Sequence, residues 1–192
     1  VLVHNPADLE AFSSERVLPG LARTFGTAND TSTLQLVAEP SLPQGLALLD
    51  APDIDSVVKE NRALAAQLLS AADLWLFVTT AARYADAVPW DYLAAAAQRS
   101  AAVAVVLQRV PPAAMYDVPA HLGQLMTQRG LGGSPLFAVP ETTTDANGLL
   151  PDAAVAPIRD WLATLAADQL NRQAVVMQTL DGAISSLVTR TP

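Results

Sequence analysis

Ala102-Val-Ala-Val-Val-Leu107 is an unbroken, valine-rich apolar run, and it decides the fold class of the chain. A short run of this kind predicts a strand that is buried on both faces, as in a parallel sheet, and Pro111 and Pro112 set its end. Leu74-Trp-Leu-Phe-Val-Thr-Thr80 predicts another strand of this type. The sequence predicts helices over residues 56–72, 89–100 and 119–129, and a further short strand over residues 135–139. This alternation predicts an α/β fold with a mostly parallel sheet and helices on both faces.

The remaining regular segments fit the same organisation. Residues 34–39 alternate apolar and polar side chains, which predicts a half-exposed strand. Residues 45–49 are continuously apolar after Gly45 and lead directly to Asp50, which predicts a strand buried on both faces. From residue 153 to about residue 188 the apolar spacing is helical.

Length and charge restrict the classes of function. With 192 residues and 51% hydrophobic content, the chain suits one domain of ordinary size. We expect an α/β domain over 1–168 and a C-terminal helix over 169–192 that begins a helical region. The 11 basic and 19 acidic residues give a net charge of -8, and Lys59 is the only lysine. Nucleic-acid binding needs clustered cations, so this composition argues against it.

Other compositional features exclude further classes. The chain has no cysteine, which rules out disulfides, thiolate zinc sites and cysteine nucleophiles. His4 and His121 stand far apart and are expected to be structural. No apolar run reaches membrane-spanning length and no secretory signal is present, so we expect a cytoplasmic protein. The chain starts at Val1 without a methionine and reads as a piece of a longer parent chain.

Acidic residues follow the strand predicted at 45–49. In open α/β sheets ligands bind outside the carboxyl ends of the strands, so Asp50 and Asp53 are candidates for a nucleotide and cation site. An aspartate at the end of an apolar strand can hold Mg²⁺, usually through water. Asp55 or Ser56 has a second explanation, because both residue types cap helix N-termini well.

Polar residues also follow two other predicted strands. Gln108 and Arg109 come after the strand at 102–107, and Glu141 and Thr142 come after the strand at 135–139. Each pair could meet a base or a phosphate. On chemistry alone an ordinary solvated strand end is favoured for Gln108 and Arg109, and residues such as Glu141 and Thr142 also form turns. Arg83, which follows the strand at 74–80, is expected to form a surface ion pair.

The ordered strand ends resemble those of a known family. Residues 46–57 are similar to the third GTPase motif, DxxG, of the translation-factor-type P-loop GTPases, and residues 72–86 match a strand signature of such proteins. Residues 105–111 fall at the position of the guanine-reading NKxD motif, and residues 137–142 at that of the short fifth motif. More narrowly, the chain resembles actinobacterial dynamin-like or Era-like GTPase-domain proteins, some of which are labelled ABC transporter or ATP/GTP-binding protein.

This resemblance implies a three-layer P-loop NTPase-type domain that binds GTP, in preference to ATP, and hydrolyses it slowly as a Mg²⁺-dependent conformational switch. Asp50 carries over as the acidic ligand near Mg²⁺. Gln108 and Arg109 would line the base pocket, with the stem of Arg109 stacked on the base. Glu141 and Thr142 would close the pocket.

The chain departs from the family pattern in three motifs. No GxxxxGK[ST] occurs in the 192 residues, so the parent chain is expected to supply the P-loop, and the isolated chain is expected to be inactive. Asp53, still a nucleotide-binding candidate, stands where the family has a glycine whose N–H faces the γ-phosphate. Gln108, Arg109 and Pro111 replace the asparagine, the lysine and the guanine-pairing aspartate of the fourth motif.

Two other functions remain open. The first is a non-catalytic module that uses the GTPase fold for interaction or oligomerisation, which Asp53 and the missing guanine-pairing aspartate favour. The second is a Mg²⁺-dependent phosphohydrolase centred on Asp50, Asp53 and Asp55. The expected partners are GTP and GDP, with ATP as the alternative and a homodimer as an open alternative. Any peripheral membrane or protein partner would bind through regions outside this chain.

Overall fold

Two sheets, each in its own unit of the chain, carry the fold. The computed structural model describes residues 1–13, 18–27, 32–52, 64, 67–68, 71–86, 90, 93 and 102–167. The units are Val1–Ala72 and Asp73–Pro192. Their sheets are mostly parallel and are accompanied by helices, so the predicted α/β class is confirmed. The expected domain over 1–168 stays a prediction.

The first unit carries a four-stranded sheet. Its elements are β1 (Leu2–His4), α1 (Leu9–Ser13), β2 (Ala22–Thr24), β3 (Thr33–Ala38) and β4 (Ala47–Leu49). The strand order is β2-β3-β1-β4, with β3 parallel to both β1 and β2 and β4 antiparallel to β1. Leu34 and Leu36 are buried and alternate with less buried residues, which confirms the half-exposed strand predicted there. The leucine core of the unit consists of Leu2, Leu18, Leu34, Leu36 and Leu68.

Two strands of this unit differ from the sequence prediction. β1 was not predicted, yet it lies inside the sheet between β3 and β4. The prediction that residues 45–49 form a strand buried on both faces is wrong, because β4 is an edge strand in which Leu48 is 37% exposed. An apolar run signals burial of some of its side chains, but it does not reveal whether a neighbour covers the second face.

The second unit carries a fully parallel three-stranded sheet in the order β5-β6-β7. Its elements are β5 (Leu74–Thr80), β6 (Ala102–Val110), α2 (Asp117–Gln128), β7 (Leu136–Pro140) and α3 (Asp152–Ala167). β6 is central, and all of its residues up to Leu107 are buried, as the valine-rich run predicts. The strand is longer than predicted, because it includes Gln108 and Arg109 and ends at Val110.

Helices cover both faces of this second sheet. Val105 pairs with Leu136 and packs with Leu122 and Met126 of α2 in one apolar cluster. On the opposite face, Val106 pairs with Phe137, whose ring lies 5.4 Å from that of Trp161 on α3. Since successive residues of a strand point to opposite faces, α2 and α3 lie on opposite sides of the sheet.

The helix boundaries follow local signals. α2 ends at Gln128, shortly before Gly130, whose φ of +81° is a conformation that glycine adopts without steric cost. α3 begins at Asp152, one residue before the predicted start. The helix expected over 169–192 lies outside the described residues. None of the helices in the described part of the chain is both long and apolar enough to cross a membrane.

Candidate functional site

The ends of β5, β6 and β7 form one edge of the second sheet, here called the carboxyl edge. Because the strands are parallel, their final residues Thr80, Val110 and Pro140 reach the same side. Two backbone hydrogen bonds hold the connections that follow β5 and β7 to the end of β6. The Ala81 N–H donates to the Gln108 carbonyl at 3.0 Å, and the Glu141 N–H donates to the Val110 carbonyl at 2.8 Å.

A β-bulge shapes the end of β6. The pairing of β6 with β7 shifts between Leu107 and Val110, and Arg109 has a φ of +55°. Leu107 and Val110 are both 0% exposed and belong to the same apolar cluster. Strict alternation would place residues three positions apart on opposite faces, so the irregular backbone at Gln108 and Arg109 returns Val110 to the core.

The bulge directs two polar side chains away from the core. Gln108 is half-buried and Arg109 is exposed. Neither side chain has a hydrogen bond or an ion pair to any described residue, so the carboxamide and the guanidinium are both available to a ligand. A left-handed conformation at a non-glycine residue costs about 1–2 kcal/mol. Such local strain is concentrated at functional sites.

Glu141 and Thr142 lie beside this bulge, directly after β7. Both are exposed, and the Glu141 backbone is held to β6 through the Val110 carbonyl. Further along, Asp145 organises the connection to α3, because its Oδ1 accepts the backbone N–H groups of Asn147 at 2.9 Å and Leu149 at 2.8 Å. The structure therefore brings Gln108 and Arg109 together with Glu141 and Thr142 at one edge of the sheet.

The connection after β5, residues 81–86, is here called the β5 turn. Arg83 Nε lies 3.0 Å from Asp86 Oδ2, with both side chains largely exposed, so the predicted surface ion pair is confirmed. Tyr84 points to α2, where its hydroxyl lies 2.8 Å from His121 Nδ1. His121 is exposed and His4 is buried, with its Nδ1 2.7 Å from the Asn5 carbonyl, as expected of structural histidines.

Asp50 belongs to the first unit and follows β4. Its backbone is held to the first residue of the chain, since the Asp50 N–H donates to the Val1 carbonyl at 2.8 Å. Its carboxylate is exposed and has no hydrogen bond or ion pair with another described side chain. Asp53, Asp55 and Ser56 lie outside the described residues.

The donor chemistry of Asp50 fits one role in binding Mg²⁺. No group of three or more possible metal ligands occurs among the residues that the structure describes. Mg²⁺ in nucleotide sites commonly takes only one or two carboxylates and completes its shell with water and phosphate oxygens. A single free carboxylate such as that of Asp50 suits this arrangement and does not suit an all-protein metal cage.

Two features of the carboxyl edge were missed from the sequence. The bulge had a weak signal, because apolar Leu107 and Val110 enclose two polar residues and so break the alternation expected of a strand. The contact between Tyr84 and His121 had none, since the two residues are 37 positions apart.

Comparison with known proteins finds no relative, since no protein-family model, no curated protein and no solved structure matches the chain. The GTPase resemblance therefore stays a prediction based on the residues quoted above. The geometry of the carboxyl edge has to be interpreted on its own chemistry.

Proposed function

We propose that this chain is the nucleotide-binding part of a slow, Mg²⁺-dependent GTP hydrolase that acts as a conformational switch. The nucleobase binds at the carboxyl edge of the second sheet, within a three-layer P-loop NTPase-type fold. A parent chain supplies the P-loop for the phosphates. GTP and GDP are preferred over ATP and ADP.

The observation that carries this proposal is the bulge at the end of β6. Ligands of open α/β sheets bind beyond the carboxyl ends of the strands, where Gln108 and Arg109 are located. The left-handed Arg109 returns Val110 to the core, but its own side chain has no hydrogen-bond or ion-pair partner among the described residues, so the guanidinium is free to bind a ligand. Binding of a ligand by the guanidinium would be a second use of this strained backbone, in addition to the burial of Val110.

The donor chemistry of the Arg109 guanidinium supports guanine. Guanine presents two acceptors, O6 and N7, which a guanidinium can satisfy with two parallel N–H donors. Adenine presents one acceptor and one donor on the same edge, a pattern that suits the carboxamide of Gln108 better. In this proposal the guanidinium of Arg109 contacts the edge of the base and selects guanine, in place of the stacking by its stem that the resemblance implies. Glu141 and Thr142, exposed beside it, close the base site.

Asp50 would hold Mg²⁺, and the ion when bound would neutralise charge that develops on the phosphate oxygens. The Asp50 carboxylate is free to take this role, because it is exposed and has no described side-chain partner. The hydrogen bond from its backbone N–H to the Val1 carbonyl, at 2.8 Å, holds the backbone of Asp50 at the end of β4.

A second function is an interaction or oligomerisation module that binds no nucleotide. The observation in its favour is a pair of exposed apolar side chains in the connections that leave the carboxyl edge. Tyr116 is 85% exposed and Leu149 is 63% exposed. Exposed aromatic and aliphatic side chains of this kind are common at protein interfaces.

Calorimetric titration of the parent chain with GDP and then ADP, in the presence of Mg²⁺, distinguishes the two functions. The proposal predicts tighter binding of GDP than of ADP, and Arg109→Ala should weaken GDP binding about 10- to 150-fold, since a hydrogen bond from a charged group contributes about 1.5–3 kcal/mol. Arg159→Ala is the matched control, because Arg159 is an exposed arginine on α3 whose partners are Asp152 and Asp160. Binding of neither nucleotide would favour the interaction module.

A further inference from the structure

Tyr84 has an unusual number of polar contacts for a residue in an exposed turn. Its N–H donates to the Thr80 carbonyl at 2.9 Å, and its carbonyl accepts the indole N–H of Trp90 at 2.7 Å. Its hydroxyl lies 2.8 Å from His121 Nδ1, and the two rings meet edge to face at 5.7 Å. Every polar group of this half-buried residue is therefore engaged.

These contacts hold the far side of the β5 turn to α2. His121 belongs to α2, and Arg129, which caps the same helix, lies 4.4 Å above the ring of Trp90. Trp90 is 3% exposed and belongs to the same apolar cluster as Leu122 of α2. Tyr84 thus bonds to His121 of α2 directly, and the indole that bonds to its carbonyl lies against Arg129, the residue that follows α2.

The near side of the same turn is held to the bulge. Ala81, its first residue, donates its N–H to the Gln108 carbonyl at 3.0 Å. The peptide that this bond fixes precedes Arg109, the residue with a φ of +55°. A movement of the β5 turn would therefore change the position of Gln108 and the direction of Arg109.

We infer that Tyr84 is a positioning residue of the base site, and this inference rests on the proposed nucleotide-binding function. By tying the β5 turn to His121 on α2, the Tyr84 hydroxyl keeps the Ala81 N–H on the Gln108 carbonyl. The bulge is then preorganised for a guanine base, and less conformational entropy is lost on binding.

Tyr84→Phe tests the inference because it removes only the hydroxyl. Amide exchange of Ala81 in the ligand-free protein, followed by NMR, should become about three- to tenfold faster, as expected for the loss of one neutral hydrogen bond. The dissociation constant for GDP should rise by a similar factor, about three- to tenfold. Tyr116→Phe is the matched control, since Tyr116 is 85% exposed and its hydroxyl has no partner in the described part of the chain.

A double variant separates the hydrogen bond from other effects of the substitution. If the hydroxyl acts through His121, then Tyr84→Phe combined with His121→Leu should weaken GDP binding no more than either change alone. Additive effects would overturn the inference, and so would unchanged GDP affinity in Tyr84→Phe, even with faster exchange at Ala81. These titrations use the parent chain, and absence of GDP binding by the unaltered parent chain would instead refute the proposed function, and the positioning role with it.

Discussion

Replacement of Arg109 by glycine should make the protein more stable and a weaker nucleotide binder. Arg109 is exposed and has a φ of +55°, and its side chain has no hydrogen bond or ion pair with any described residue. Glycine adopts this conformation without the clash between Cβ and the backbone, so the substitution relieves the strain. The substitution removes no hydrogen bond or ion pair of the side chain. Arg109→Gly is therefore expected to stabilise the protein, whereas most glycine substitutions destabilise.

The size of the gain follows from two opposing terms. Relief of a left-handed conformation is worth about 1–2 kcal/mol. The greater freedom of glycine in the unfolded chain costs about 0.5–1 kcal/mol. The free energy of unfolding should therefore rise by about 0–1.5 kcal/mol, which corresponds to a Tm increase of at most about 6 °C for a chain of this length.

Chemical denaturation and thermal melting of the variants Arg109→Gly, Arg109→Ala and Glu141→Gly, each compared with the unaltered protein, measure this effect. Arg109→Ala keeps the strain and should change the free energy of unfolding by less than about 0.5 kcal/mol, as is usual for surface substitutions. Glu141→Gly is the glycine control, because Glu141 is exposed, lies on the same edge and has no positive φ. The free energy of unfolding of Glu141→Gly should be about 0.5–1 kcal/mol lower than that of the unaltered protein. If Arg109→Gly is as destabilised as Glu141→Gly, the strain argument is refuted.

Three further predictions concern the core, the metal and pH. Leu107→Ala, at a 0% exposed position in β6, should lower the free energy of unfolding by about 2–5 kcal/mol in urea titrations, whereas Leu149→Ala, at a 63% exposed position, should change it by less than about 0.5 kcal/mol. Asp50→Ala in the parent chain should weaken nucleotide binding in Mg²⁺ but not in EDTA, and equal Mg²⁺ dependence in both proteins would contradict the assignment. Hydrogen bonds from the Ser41 hydroxyl and backbone N–H lower the pKa of Glu39, so Ser41→Ala, which removes only the hydroxyl, should raise that pKa in an NMR titration. The stabilisation from Glu39 is present above its ordinary pKa and is lost as pH falls through the lowered folded-state pKa, so in Ser41→Ala less stability should be lost on acidification.

The second sheet could be predicted because its signals are local. The apolar run at 102–107 is long enough to specify β6 without reference to its neighbours, and 74–80 specifies β5 equally well. α2 has a glycine stop signal at Gly130. Each of these depends on residues that are adjacent in sequence, where periodicity and steric preference decide the outcome.

The first sheet was harder to predict because its strands are short and depend on their partners. β1 and β4 are three residues each, so neither is long enough for a periodic pattern. β1 becomes a strand because Leu2 pairs with Leu36 on one side and Leu49 on the other. Such contacts bring together residues far apart in the chain, and the local sequence of residues 1–4 does not predict them.

The candidate site shows the same division. Gln108, Arg109 and Glu141 could be identified from the sequence as polar residues near strand ends, and the structure places all three at one edge. Their exact backbone conformation could not, because the bulge forms only where β6 pairs with β7. The contact of Tyr84 with His121 likewise depends on the packing of α2 against the sheet.

The placement of Gln108 and Arg109 between two fully buried residues has a consequence for how new specificities could arise. Leu107 and Val110 contribute the packing, each at 0% exposure, while the two residues between them contribute none of the apolar cluster. Sequence drift at these two positions therefore leaves the packing of Leu107 and Val110 in place, provided that the residue at 109 tolerates the left-handed conformation. A library randomised only at 108 and 109 should yield mostly folded proteins, from which variants that recognise other nucleobases could be selected without compensating changes elsewhere.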